Sequence, residues 1–123
     1  MMKLSEAIRL GAMLRPRQSF GCQYDAAHDA TCALGAAADA IGILDTSVPN
    51  GYLGCAPEDW AWVQSPTKCP QCRRSMDRAD RAIIHLNNYH RWSRERIARW
   101  VARRERVVDR RADALAAAAP EAP

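Results

Sequence analysis

At 123 residues the chain has the length of one domain, and its 48% hydrophobic content includes 23 alanines and a single phenylalanine, so any core is thin. No run of about 18 apolar residues occurs, which excludes a membrane-spanning helix, and five cysteines, an odd number, argue for a reducing cytoplasm over a secreted disulfide framework. The formal net charge of +4 is uneven: residues 1–67 carry −3, residues 68–111 carry +9 and residues 112–123 carry −2, which marks the second half for an anionic partner.

In chain order, MMKLSEAIRLGAMLRP has Glu6 and Arg9 inside its apolar stretch, so it reads as an amphipathic helix and not a signal peptide. A helix is expected over residues 4–15, with Ser5 as cap and Leu4, Ala7, Ile8, Gly11, Ala12 and Met13/Leu14 on its buried face. Arg15-Pro16 ends it, because the residue before proline avoids helical geometry. Residues 16–28 read as an irregular loop. Asp29 or Thr31 then caps a second helix, about 30–41, with Leu34, Ala37, Ala38 and Ile41 inward and Gly42 as its stop. Its alanines predict close packing on the first helix. Pro49-Asn50-Gly51 marks a loop through residues 42–57. Pro57-Glu58-Asp59 has the make-up of a helix first turn, predicting a short helix Pro57–Val63 with Trp60 and Val63 buried. A strand over residues 60–64 is the alternative, and Trp62 is the aromatic expected at the surface.

The next segment carries the chemistry. Cys69-x2-Cys72-x12-His85-x4-His90 has the spacing of a tetrahedral Cys2His2 zinc site. Two thiolates and two imidazoles fill the coordination of Zn2+, so the site is read as structural. Arg78 to Tyr89 has no Pro or Gly and predicts a helix. Residues five apart point about 140° apart on an ideal helix, so both histidines reach one ion only if the helix tightens or ends near Asn87-Asn88. Ser93 caps a last helix, with Glu95 in its first turn. Ile97, Trp100, Val101, Val108 and Leu115 form its apolar stripe, with Val107 beside it. Trp92 and Trp100 are assigned to the core. Arg96, Arg99, Arg103, Arg106 and Arg110, at separations of 3, 4, 3 and 4, share the opposite face. The helix is expected to reach Ala119 and to protrude.

The strings IRLGAMLRP, TCALGAA, CPxC and HLNNYHRWSRERIARWV resemble short uncharacterised proteins of bacterial and phage genomes that share HLN-x-x-H-x-W-[ST]-R-E-x-I-A-x-W-V. The similarity covers about residues 3–103 and implies common descent without a known activity. The metal segment also resembles a Cys2His2 finger, with Met76 and Ala82 where such fingers carry Phe and Leu. That alignment puts Arg78, Arg81 and Ile84 at base-reading positions, with Asp80 placed to buttress Arg78. Ile84 is unsuited to reading bases and is expected to pack inward with Ile83 and Leu86.

Cys22, His28, Cys32 and Cys55 are a candidate second ligand set, although their spacing fits no metal knuckle. No HExxH, phosphate loop or GxSxG occurs, and no acidic residue beside the ligand histidines forms a nuclease-like pair with them, so a non-enzyme is expected. The fold expected is mainly α: a small zinc-stabilised helical domain with a CPxC knuckle and a long C-terminal amphipathic helix. It forms a single domain over residues 1–111, with a helical half at 1–64, the knuckle and two helices at 65–111, and an Ala/Pro-rich tail at 112–123. The function expected is that of a phage-related accessory or regulatory protein, binding DNA or RNA through the five arginines. The alternative is a protein-interaction or dimerisation module using the apolar stripe.

Overall fold

A computed structural model of the chain describes residues 2–47 and 58–118. Helix α1 spans Leu4–Leu14 and buries Leu4, Ser5, Ala7, Ile8 and Gly11 along one stripe. Met13 and Leu14, expected inside, are 77% and 56% exposed, because the packed face of α1 ends at Gly11. Ser5 is not the cap. It lies buried in the first turn, where its Oγ and its backbone N–H both donate to the Glu105 carboxylate. The helix stops at Arg15, which is extended as the residue before Pro16 should be.

Residues 16–28 depart from the expected loop, and Ala30–Thr31, expected to open the second helix, form a strand instead. Strands β1 (Arg17–Gln18), β2 (Tyr24–Asp25) and β3 (Ala30–Thr31) form a sheet of order β1-β3-β2, with β1 parallel and β2 antiparallel to β3. Two-residue strands are too short to show the alternation by which a strand is recognised. Helix α2, Ala33–Ala40, is capped by Cys32, whose Sγ accepts from the Gly35 N–H at 3.3 Å. Both residues expected to cap it are engaged elsewhere. Thr31 pairs in β3, and the Asp29 carboxylate accepts from Arg15 and Tyr24. Helices α1 and α2 pack closely, as the alanines predict. A Cβ on Gly11 would stand 1.8 Å from the Ala36 carbonyl oxygen, so only glycine fits there. Gly42 follows the helix end with φ +78°.

A 3-10 helix, Glu58–Gln64, stands where the sequence predicts a short α-helix, and it buries Trp60 and Val63. Pro57 and the Pro49-Asn50-Gly51 turn lie outside the described residues. Trp62, expected at the surface, packs partly buried against the core. Strands β4 (Thr67–Lys68) and β5 (Ser75–Met76) then pair antiparallel, and α3 follows at Ala79–Asn88. Helix α4, Arg94–Ala118, is capped by Ser93, whose Oγ accepts from the Arg96 N–H at 3.1 Å. Its 25 residues span about 38 Å at 1.5 Å per residue. Ile97, Trp100 and Val101 are buried, Val107 and Val108 are half-buried, and every residue from Asp109 to Ala118 is exposed. Four α-helices agree with the helical expectation, and the two small sheets amend it.

One hydrophobic cluster draws on both halves of the chain: Leu4 and Ile8 from α1, Leu34 and Ala37 from α2, Ile83 and Leu86 from α3, and Ile97 and Val101 from α4. Helix α4 lies chiefly along α1. Two polar side chains bind the halves further. The buried Asn87 amide oxygen accepts from Gln18 Nε2 at 2.8 Å and the Ala33 N–H at 3.1 Å. Its Nδ2 donates to the Ser19 carbonyl at 2.9 Å and to Asn88 Oδ1 at 2.8 Å, so its full donor and acceptor capacity is used. Arg94, buried at the start of α4, donates to the Arg15 and Pro16 carbonyls and to Thr31 Oγ1.

Two substitutions test this core. Trp100→Ala removes a 6% exposed indole and should cost roughly 3–5 kcal/mol in chemical denaturation, as large aromatic truncations do. Asn87→Leu should destabilise comparably, since it strands the buried Ala33 N–H and the Ser19 carbonyl at about 1–3 kcal/mol each. Wild-type unfolding midpoints for both variants would refute the packing described.

Candidate metal centre

The hairpin and the end of α3 bring four ligand residues together. Between β4 and β5, Cys69-Pro70-Gln71-Cys72 makes a turn closed by two backbone bonds. The Arg73 N–H donates to the Cys69 carbonyl at 2.9 Å, and the Cys69 N–H donates to the Arg74 carbonyl at 2.9 Å. Arg73 takes φ +66° to complete the reversal. The turn points Cys69 inward, where it is buried, and leaves Cys72 exposed.

The histidines approach by the route their spacing requires. The helix ends at Asn88, and the His85 carbonyl then accepts from both the Tyr89 N–H at 2.9 Å and the His90 N–H at 3.2 Å. That widened last turn swings His90 back toward His85. The two rings lie 4.6 Å apart and nearly perpendicular. Asn87 and Asn88 do not terminate the helix by adopting left-handed geometry. That role falls to Arg91, at φ +57°, after which the Trp92 N–H donates to the Leu86 carbonyl. The Trp92 indole N–H reaches Gln71 Oε1 and so ties the knuckle to the turn before α4.

Cys69, Cys72, His85 and His90 each offer a ligand atom, and all four atoms lie within 4.8 Å of one another. Cys72 Sγ and His85 Nε2 are 3.5 Å apart. His90 Nε2 is buried and has no hydrogen-bond partner, an unfavourable state for an imidazole unless a cation takes the lone pair. The electrostatics run the same way. The Arg74 backbone amide holds the Cys72 thiol below its ordinary pKa. Burial, then the neighbouring His90, holds His85 below its own. Each shift favours the deprotonated form that ligates a metal. The four residues fit a metal ion.

No protein-family model, curated protein or solved structure matches the chain. In the order β4, β5, α3 the cysteines stand in the hairpin and the histidines at the helix end. Met76 and Ala82 stand partly and fully buried at the core. Ile84, expected inside, is 43% exposed, because Ala82, Ile83 and Leu86 already supply the buried face of α3.

The remaining candidates separate clearly. Cys32 is committed to its capping bond and His28 to Asp25, with Nδ1 at 2.7 Å from the carboxylate. Cys55 lies outside the described residues, among which the Cys69 set is the one metal-competent cluster. Arg96, Arg99, Arg103, Arg106 and Arg110 lie along α4 on the side away from the core. The finger-position arginines are different: Arg78 is held bidentate by Asp80 and Arg81 by Asp77. The sequence does not announce the bonding roles of Asn87 and Arg94, because nothing in a polar residue's local pattern reveals a partner more than fifty positions away; Gln71, whose partner Trp92 is 21 positions on, is likewise not singled out.

The purified protein should carry one divalent metal per chain by elemental analysis. Cys69→Ser and His90→Asn should each lose it and lower the thermal midpoint. Metal-free protein, with both variants melting like the wild type, would show the cluster to be no metal site.

Proposed function

We propose that the chain is a zinc-stabilised, non-enzymatic accessory protein that binds nucleic acid through the arginine face of α4. Zinc is the metal favoured by two thiolates and two imidazoles. With Zn–S near 2.3 Å and Zn–N near 2.0 Å, a tetrahedral site separates sulfur from nitrogen by about 3.5 Å, the distance between Cys72 Sγ and His85 Nε2. Four protein ligands leave no position for a substrate water, so the ion's contribution is to stability. In finger peptides that contribution is roughly 10–16 kcal/mol.

The observation that carries the nucleic-acid reading is how charge is sorted around α4. Three of its acids are engaged toward α1: Glu95 with Arg9 at 3.3 Å, Glu105 with Ser5, and Asp109 with Lys3 at 2.9 Å. The five arginines face away, and none has a carboxylate partner among the described residues. Arg96 lies over the Trp92 ring at 3.8 Å. An unneutralised row of guanidinium groups about 21 Å long, at 1.5 Å per residue, is suited to successive phosphates and reads them without base preference. The competing reading, docking through the apolar stripe, has less surface to work with. Ile97, Trp100 and Val101 are spent on the chain's own core, leaving Leu115 as the large exposed residue of the stripe.

Replacing Arg99, Arg103 and Arg106 together by Gln should weaken DNA and RNA binding and flatten the slope of log affinity against log salt by up to about 2.7. Helix content should hold, because Gln is nearly as good a helix former as Arg. Fluorescence anisotropy across a salt series measures the binding, and circular dichroism the helix. Absence of wild-type binding at low salt would overturn the nucleic-acid reading, and capture of a protein partner indifferent to salt would favour the docking alternative.

A further inference from the structure

A second basic surface lies at the turn before α4. An open groove of about 500 Å³ runs between the β1-β3-β2 sheet and the α3–α4 turn, lined by Arg17, Phe20, Asp25, His28 and Arg91 with the backbone near Ser19. The chain's single phenylalanine sits on its wall, 42% exposed. The Arg91 guanidinium is held 4.5 Å from the Phe20 ring centroid. Neither Arg17 nor Arg91 forms a direct ion pair among the described residues; the groove's own acid, Asp25, is engaged by His28, and the charge of Arg17 acts on Asp29 from beyond ion-pair distance. An exposed aromatic ring with one guanidinium over a face and a second in the same groove is the chemistry that receives a base on the ring's other face and its flanking phosphates.

The walls are held in place. The Ser19 N–H donates to the Thr31 carbonyl at 3.0 Å, and the Ser19 carbonyl accepts from Asn87. The Gly21 N–H donates to Asn88 Oδ1 at 3.0 Å, which ties the Phe20 loop to the end of α3. Arg91 is set by its left-handed backbone. Such preorganisation lowers the ordering cost of binding. Arg94 at the start of α4 bonds the Arg15 and Pro16 carbonyls immediately before Arg17, which fixes this wall of the groove against the helix start.

We propose that this groove holds one unstacked base of single-stranded nucleic acid against Phe20, with the adjoining phosphates on Arg17 and Arg91. The inference rests on the reading of α4 as a phosphate-binding face and adds a strand preference to it: a base paired within a duplex is not free to enter the groove. Base–aromatic stacking tolerates any base, so DNA and RNA single strands both qualify.

The test compares labelled oligothymidine and oligouridine with an abasic oligomer of equal length and with duplex DNA. The zinc-loaded protein is used as wild type, Phe20→Leu and Phe20→Trp, each checked for metal content and helix signal. Leucine keeps an apolar side chain and removes the ring face, whereas tryptophan keeps a ring. Phe20→Leu should weaken oligothymidine and oligouridine binding at least about fivefold, the lower end of one stacked base. It should leave abasic and duplex binding unchanged, and Phe20→Trp should bind the two oligomers as the wild type does. Equal affinity of the Leu and Trp variants for oligothymidine, or equal losses on the abasic strand, would overturn the base site. Continued dependence on Arg99, Arg103 and Arg106 in that event would leave the phosphate face standing. No binding of any strand by the wild type would overturn both.

Discussion

The rest of the structure depends on the last turn of α3. Within six residues the end of α3 and the turn after it place two members of the metal-competent cluster, His85 and His90, and the amide of Asn87 between them. A metal ion on the cluster would fasten the helix to the β4–β5 hairpin, and the amide fastens it to β1, to Ser19 and to the start of α2. Both attachments are inelastic. A coordination shell of the proposed zinc kind admits little error in ligand placement. A buried amide using both lone pairs and both protons loses at least one bond if any neighbour moves. With few large apolar side chains to specify a unique packing, these directional contacts locate the N-terminal half against the C-terminal half.

The same turn shows why the metal set is legible in the sequence and the small sheets are not. Cys69, Cys72, His85 and His90 follow a spacing that metal coordination requires, so their pattern is readable without knowledge of the fold. Ile97, Trp100 and Val101 are legible for a related reason: a long helix repeats its period often enough to reveal its buried side. Two-residue strands repeat nothing. Arg17, Tyr24 and Ala30 enter a sheet because Arg94 and Asn87 draw their neighbours together, and those bonds span more than fifty residues. Cys32 does not announce itself as a cap because its thiol is a weak acceptor beside Asp29 and Thr31, both of which have stronger partners elsewhere.

Met13, Leu14, Ile84 and Leu115 all sit at positions expected to face inward, and all are exposed. Ile84 lies within the packed stretch of α3 but off the face that Ala82, Ile83 and Leu86 bury. The other three lie beyond the contact footprint of their helices: α1 stops packing at Gly11, and α4 runs past the core after Val108. Periodicity identifies a face. It does not say how far along the helix a partner extends, and in a chain this short the partners run out first.

Charge shows the converse. The stretch WSRERIARWV contains three arginines of similar local appearance with different physical roles. Arg94 is buried among carbonyls, where desolvation pushes its guanidinium below the ordinary value. Arg96 stacks on Trp92 at the surface, and Arg99 meets no carboxylate among the described residues. The first is explained by what it holds together. The second is explained in part by its stacking, and the third by nothing within the described fold. A folded protein can neutralise surface arginines cheaply with nearby acids, as α3 does through Asp77 and Asp80. Helix α4 has acids available and turns Glu95, Glu105 and Asp109 toward α1 instead. Leaving the row unneutralised confers no stability on the domain, since like charges at helical spacing repel. On the proposed reading, its physical rationale lies outside the chain, in a partner that carries the opposite charge.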